Sequence, residues 1–105
     1  VVADNCSSSG YAIGDWHPYH TDVSNIALSL VINNTEIASG NSNAILGNPI
    51  ESFIEAARLA NEYNVKLKKG MIILAGAATP AAFIKKNDVV KACFEVLGNV
   101  TFTVQ

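Results

Sequence analysis

The stretch IALSLVINNTEIAS, residues 26–39, decides the fold predicted for this chain. It begins with Ile26 to Ile32, an apolar run that has the length of a β-strand. Asn33-Asn34-Thr35 then suits a tight connection, and Glu36 to Ser39 begins a return strand. Two such runs joined by a short polar turn predict a β-hairpin.

Further runs of strand length lie on both sides of this hairpin. Met71 to Leu74 follows a Lys-Gly turn, and Val89 to Val96 follows an Asn-Asp pair. Val100 to Val104 alternates apolar residues with Thr, as a half-buried strand does. Tyr11 to Ile13 reads as a short extended piece. The whole pattern predicts five or six strands.

One segment carries a strong helix signal. Asn48 suits the cap position, Pro49 the first helical position, and Glu51 the third, and we expect the helix to end at Asn64. Apolar residues then recur at helical spacing along one face. These residues are Ile50, Phe53, Ile54, Ala57, Ala60 and Tyr63. We expect this face to pack onto the sheet, which gives an α+β, β-rich fold with one main helix in a single domain, residues 1–105.

Composition bounds the possible partners. Half of the 105 residues are hydrophobic and 15% are charged, which indicates that some apolar surface faces another domain or subunit. The formal charge is -2 and the basic residues are scattered, so we expect no nucleic-acid partner. No apolar run approaches the ~18 residues of a membrane span, so we expect no membrane partner. Two cysteines without metal-type spacing, and no signal-peptide pattern at the start, favour reduced thiols in the cytoplasm.

Taken by type and spacing, the polar residues assign neither a catalytic residue nor a metal ligand. No two carboxylates stand two positions apart, so no strand offers a pair on one face. His17 and His20 lie three apart in a loop without a third ligand, and an exposed turn explains them. Ser7 to Ser9 lack the Gly-x-Ser-x-Gly frame of a nucleophile elbow.

Two segments of small residues remain as candidate binding sites: Asp4 to Gly10, and Ile73 to Pro80. Small side chains let a ligand approach the backbone, and free amides in such a loop can hold a carboxylate. The alternatives are structural. Asn5 and Ser7 suit the end of a helix that stops at Gly10, and the second segment suits a tight strand exit.

Five segments of the chain, in order, resemble motifs of one enzyme family. They are Val2 to Ser8, similar to ADNAS; Val31 to Gly40, similar to LxKNGExVxTG; Ala44 to Pro49, similar to AVLGHP; Leu67 to Gly76, similar to LxAGxxILSG; and Leu97 to Val100, similar to LGSV. The helix between them carries Arg58 to Asn61, which resembles WLAN. The family is the 4-oxalocrotonate decarboxylase and 2-hydroxypentadienoate hydratase branch of the fumarylacetoacetate hydrolase superfamily.

The resemblance implies the β-rich C-terminal domain of a lyase of catechol meta-cleavage type degradation, part of a longer enzyme. A 4-oxalocrotonate (2-oxo-3-hexenedioate) decarboxylase is favoured because Ala75-Gly76-Ala77 lacks the hydroxyls of the Ser-Gly-Ser found in hydratases. The 2-hydroxypenta-2,4-dienoate hydratase stays open, as does a non-catalytic β-rich binding or oligomerisation module. The family binds Mg²⁺ or Mn²⁺, and the resemblance places every metal ligand before Val1.

The resemblance also implies where the ligand binds. A small 2-oxo or 2-hydroxy dienoate acid is expected to contact Asn5, Ser7, Gly76, Ala77 and Thr79. Asn5, Ser7 and the loop around Thr79 would then form one wall of a pocket. The other expected partners are the remainder of the enzyme or other subunits, in a cytoplasmic homo-oligomer. Cys6 departs from the family, where Ala is usual.

Overall fold

One antiparallel sheet organises the computed structural model, which describes residues 10–105. Its four strands follow the order β2-β1-β3-β4. They are β1 (Ala27–Ile32), β2 (Thr35–Asn41), β3 (Val89–Phe94) and β4 (Gly98–Thr103). A short 3₁₀ turn (Ser42–Ala44) follows β2, and the helix α1 (Pro49–Glu62) lies between the two hairpins. The predicted α+β, β-rich class is confirmed.

The hairpin of β1 and β2 forms where the sequence predicts it. Asn33 and Asn34 both have positive φ, 51° and 67°, as a two-residue type I′ turn requires. Asparagine tolerates this left-handed conformation better than most residues, because its side chain can hydrogen-bond locally. A register shift between Leu30 and Val31 marks a β-bulge in the pair.

A buried carboxylate connects this turn to the start of β3. Asp88 is only 6% exposed and accepts hydrogen bonds from the Asn33 side-chain amide at 2.9 Å and the Lys85 backbone N–H at 3.0 Å. The Asn33 side-chain oxygen accepts in turn from the N–H of Val89 at 2.9 Å. The hydrogen bonds that Asp88 accepts lower the pKa of its carboxyl below the usual value. The bond from the Lys85 backbone has the larger effect, and the bond from the Asn33 side chain has the smaller one.

The sheet has one apolar face. Leu28 of β1 stands opposite Phe94 of β3, and the next pairs along the same face are Leu30 with Ala92 and Ile32 with Val90. Side chains alternate along a strand, so these positions share a face. Within residues 10–105, Ile26 and Val90 are the fully buried hydrophobic residues, and the rest of the face is half-buried.

The prediction of five or six strands is wrong for the described part of the chain. Met71 to Leu74 forms no strand, and its side chains are exposed. Tyr11 to Ile13 lies outside the sheet as well. A short apolar run becomes a strand only when another strand pairs with it, and neither run has a neighbour among the described strands.

Both ends of α1 follow from local sequence. The Asn48 side chain accepts from the N–H of Ile50 at 3.0 Å, and Pro49 takes the first helical position. The helix ends at Glu62, close to the predicted end at Asn64, which has a positive φ of 58°. Arg58 pairs on the exposed side with Glu55 at 2.9 Å and with Glu62 at 3.2 Å. No helix within residues 10–105 has the length and apolar character to cross a membrane.

The prediction that the apolar face of α1 packs onto the sheet is wrong. Phe53 and Ile54 are each 50% exposed, and the helix has no buried residue. The described residues contain nothing that covers this face. Within residues 10–105, the helix is connected instead by its flanking turns and by one longer-range hydrogen bond, from the Ser52 hydroxyl to the Ala75 carbonyl at 2.6 Å.

A pair of truncations tests this arrangement of the core. We expect Val90→Ala to lower the free energy of unfolding by about 2 kcal/mol, because it removes two buried methyl groups and leaves a partly refilled cavity. Phe53→Ala should cost about 1 kcal/mol, well below the ~3–5 kcal/mol of a buried phenylalanine. Urea unfolding of the 105-residue chain measures both, and a larger loss for Phe53→Ala would contradict the structure.

The Asp88 carboxylate should make stability depend on pH. The pKa of Asp88 is lower in the folded state than in the unfolded state, where it is about 3.9. The ionised carboxylate therefore stabilises the fold at pH values above about 3.9, and this contribution is lost as the pH falls through the folded-state pKa. Asp88→Asn should therefore destabilise the chain at pH 7 and have a smaller effect at pH 3. Urea midpoints at the two pH values provide the measurement, with the exposed Asp15→Asn as control. An equal loss at both pH values would rule out the charged form as the stabilising species.

Candidate functional site

A cleft of about 340 Å³ lies between the apolar face of the sheet and the loop Gly76 to Thr79, called here the 76–79 loop. Strands β1 and β3 contribute its floor, and the turn after β2 and the start of α1 contribute its sides. The lining residues are Val23, Ile26, Leu28, Ser29, Leu30, Ser42, Ile45, Pro49, Gly76, Ala77, Ala78, Thr79, Ala92, Phe94 and Leu97. None of these side chains is charged, so the cleft is an apolar, neutral environment.

The 76–79 loop lies directly on strand β2 at Gly40. A Cβ added at Gly40 would overlap the carbonyl oxygen of Ala78 and lie 3.4 Å from Thr79 Cγ2. Any residue with a side chain would therefore push the loop away from the sheet. A glycine inside a strand often marks such a close approach of backbone to backbone.

Two further contacts hold the start of the loop. The Ser52 hydroxyl of α1 donates to the Ala75 carbonyl at 2.6 Å. Gly76 has a φ of +133°, a conformation that side chains disfavour, and a Cβ there would lie 3.6 Å from Ile45 Cγ2. The loop is therefore fixed from the helix side at Ala75 and from the sheet side at Ala78.

The loop presents hydrogen-bond donors beside the apolar cleft. Within residues 10–105, the backbone N–H groups of Gly76, Ala77, Ala78 and Thr79 donate to no backbone or side-chain acceptor. The Thr79 hydroxyl makes no hydrogen bond to the described residues either. A few donors on an apolar wall are typical of a small-molecule site, where the polar groups orient the ligand. Free amides of this kind suit a carboxylate or an oxo group.

A second polar group lies in the lining. Ser42 is 6% exposed, and its hydroxyl oxygen accepts from the Ile26 N–H at 2.7 Å. The Ser42 N–H donates to the Ile26 carbonyl at 2.9 Å. Ser42 therefore continues the strand pairing for one more residue beyond the regular ladder, at the edge of the cleft.

Three of the five predicted ligand-binding residues line one cleft: Gly76, Ala77 and Thr79. Asn5 and Ser7 lie outside the described residues, as does the helix end predicted before Gly10. Sequence reasoning missed Gly40, Ser42 and Ser52. Gly40 could have been predicted, because a glycine within a strand pattern often indicates that another backbone approaches closely. No sequence pattern indicated Ser42 or Ser52, because their positions depend on contacts between distant segments.

The two loop histidines do not form a metal site in the described part of the chain. His17 Nε2 donates to the carbonyl of Leu97 at 2.8 Å, and the ring of His20 meets that of Tyr19 edge to face. Across residues 10–105, no three His, Cys, Asp or Glu side chains gather closely enough to hold a metal ion. The bond from His17 instead ties the preceding loop to a residue of the cleft wall.

Comparison with known proteins gives a consistent picture. The family model described as fumarylacetoacetate (FAA) hydrolase C-terminal matches residues 1–105. A 4-oxalocrotonate decarboxylase of Pseudomonas sp is 42% identical over 103 residues, which are 98% of this chain and 40% of that protein. A 2-keto-4-pentenoate hydratase of Paraburkholderia xenovorans (strain LB400) is 31% identical over 95% of this chain and 38% of its own length. The chain thus spans about 40% of the length of these curated relatives.

Solved structures share the fold. The 4-oxalocrotonate decarboxylase from Pseudomonas putida G7, complexed with magnesium and adipate, superposes with a TM-score of 0.74 at 24% identity. The match covers 80% of this chain and 32% of that one. The same enzyme complexed with calcium and acetate gives a TM-score of 0.75.

The contact at Gly40 generates a test of the site geometry. Gly40→Ala should displace the 76–79 loop and cost about 1–3 kcal/mol, as overpacking does. Amide chemical shifts should move at Ala78 and Thr79, far along the chain from the substitution. Gly10→Ala is the matched control, because a Cβ there meets nothing within 4 Å. Shift changes confined to the neighbours of residue 40 would show that the loop does not rest on β2.

Proposed function

The chain belongs to the fumarylacetoacetate hydrolase C-terminal family, and from that premise we propose that it forms the C-terminal part of a lyase that decarboxylates 4-oxalocrotonate. The observation that carries the proposal is the neutral cleft in which the 76–79 loop presents donors above an apolar sheet face. Such a cleft fits a short acid with a hydrocarbon segment and an oxygen-bearing end.

Decarboxylation is favoured over hydration by two observations. The relative with the higher identity is named a decarboxylase. In addition, Ala75-Gly76-Ala77 offers no side-chain hydroxyl, so this part of the wall donates through its backbone. Because this segment has neither hydroxyls nor charges, it offers no side-chain group that could position a water molecule for addition to the ligand.

The residues of the cleft would stabilise charge rather than transfer protons. When the carbon–carbon bond to the leaving carboxylate breaks, its electron pair moves toward the 2-oxo group, and negative charge builds on that oxygen. Preorganised donors aimed at such an oxygen lower the barrier. We assign this role to the amides of the 76–79 loop and the Thr79 hydroxyl, and we propose from the family resemblance that Asn5 and Ser7 bind the same acid. Leu28, Leu30 and Phe94 would exclude water from the carbon chain.

The described residues do not fit a divalent metal. Mg²⁺ takes clustered oxygen ligands, and no carboxylate lines the cleft. We therefore propose that Mg²⁺ or Mn²⁺ is held in the intact enzyme by residues other than 10–105, where it would polarise the 2-oxo acid.

The exposed apolar surface fits a chain that works within a larger assembly. Phe53 is half-exposed and Phe83 fully exposed, and both would be costly to leave in water. We propose that the remainder of the enzyme or other subunits cover them, in a homo-oligomer located in the cytoplasm.

Assays of the intact enzyme test the proposed activity. With Mg²⁺ present, 4-oxalocrotonate should release carbon dioxide, and 2-hydroxypenta-2,4-dienoate supplied alone should remain unhydrated. Hydration of the dienoate without decarboxylation would assign the chain to the hydratase instead. Turnover of neither compound, by a folded protein, would overturn the proposal and favour a non-catalytic binding or oligomerisation module.

The role of Thr79 generates a sharper prediction. Thr79→Val keeps the volume and the methyl group that faces Gly40, and it removes the hydroxyl donor. If this donor serves the oxygen on which charge builds, kcat should fall by up to ~10²-fold. Thr101→Val on the exposed side of β4 is the matched control and should leave kcat unchanged. Equal kinetics for the two variants would remove Thr79 from the site.

A further inference from the structure

Ser42 is held rigidly at the edge of the cleft. It is 6% exposed, its hydroxyl oxygen accepts from the Ile26 N–H at 2.7 Å, and its own N–H donates to the Ile26 carbonyl at 2.9 Å. Both contacts join the turn after β2 to the residue that precedes β1. The side chain therefore has a fixed position among the lining residues of the cleft.

The Ser42 hydroxyl still has a proton to donate. A hydroxyl that accepts one hydrogen bond keeps its O–H for another partner. Across residues 10–105, no acceptor receives this proton. A buried donor without an acceptor is unfavourable, so a ligand oxygen placed there would gain affinity.

From this geometry we propose that Ser42 is a specificity-determining residue that donates a hydrogen bond to a second oxygen-bearing group of the bound acid. The inference rests on the proposed function, because it assumes that the acid lies in this cleft with one end on the 76–79 loop. Ser42 favours ligands with oxygen at both ends of a short hydrocarbon chain, such as a dicarboxylate, over the matching monocarboxylate.

The arrangement of the cleft supports two separate anchoring points. Gly40 contacts the loop at Ala78, and Ser42 lies two residues further along the chain, beyond the end of β2. The apolar side chains of Leu28 and Phe94 contribute to the lining and suit the carbon chain. The cleft carries no positive charge, and it is open on one side, so a carboxylate near Ser42 keeps part of its hydration.

Adipate and hexanoate are suitable probes, because the two acids have the same number of carbons and differ in one terminal carboxylate. Their inhibition constants are measured on the intact enzyme with Mg²⁺. The wild-type enzyme should bind adipate more tightly than hexanoate. Ser42→Ala should reduce this preference by about tenfold, the usual value of one hydrogen bond to a charged group.

Two further variants separate binding from folding. Ser39→Ala is the matched control, because Ser39 lies on β2, is exposed and does not line the cleft. It should keep the preference for adipate. Ser42→Cys keeps the size of the side chain and replaces the hydroxyl by a weak donor, so it should lose the preference even if Ser42→Ala does not fold.

The outcomes distinguish this inference from the proposed function. Loss of the preference in both Ser42 variants, with the preference of Ser39→Ala unchanged, supports the assignment. An unchanged preference overturns it, and so does an equal weakening of both acids, which indicates a purely structural role. If the wild-type enzyme turns over neither proposed substrate, the proposed function fails and the assignment of Ser42 fails with it. If the enzyme turns over a proposed substrate but the Ser42 variants keep the preference for adipate, only the assignment of Ser42 is wrong.

Discussion

The contact between Gly40 and the peptide of Ala78 and Thr79 is the constraint on which the site depends. A backbone can lie against a strand at this distance only where the strand has no side chain. Because Gly40 provides that place, the 76–79 loop covers part of the apolar sheet face. The same contact turns an open surface into a cleft and fixes where the loop donors stand. The positions of the cleft wall and of its polar groups relative to the sheet thus depend on the absence of a side chain at residue 40.

Some features of this structure follow from local sequence. The hairpin turn needs two residues that tolerate positive φ, and Asn33 and Asn34 supply them. The helix start needs a side chain that accepts from an early N–H, and Asn48 supplies it. Conversely, Met71 to Leu74 has the composition of a strand, but strand formation requires a partner that no local pattern specifies. The prediction that Phe53 packs onto the sheet was wrong for the same reason. An apolar helix face does not specify which surface packs against it.

The predictability of the site divides in the same way. Gly76, Ala77 and Thr79, which line the cleft, could be proposed as binding residues because a run of small residues is visible in the sequence and resembles a family segment. Ser42 was invisible, since an isolated serine gains its role only from a hydrogen bond to Ile26, sixteen residues earlier. Asn33 and Asp88, which join the turn of the first hairpin to β3, lie 55 positions apart and could not be paired from spacing.

A neutral cleft has a chemical consequence for the proposed reaction. Decarboxylation and hydration of these acids both place negative charge on the oxygen at the 2-position, so donors at that oxygen serve either reaction equally. The choice of reaction must therefore come from groups that act on the rest of the ligand. In a wall without charged side chains, a single fixed hydroxyl changes the relative affinity of two ligands more than it would among many polar groups, because water competes less for it. Under the proposed function, the Ser42 hydroxyl would therefore influence which acid is bound, although it takes no part in breaking the bonds of that acid.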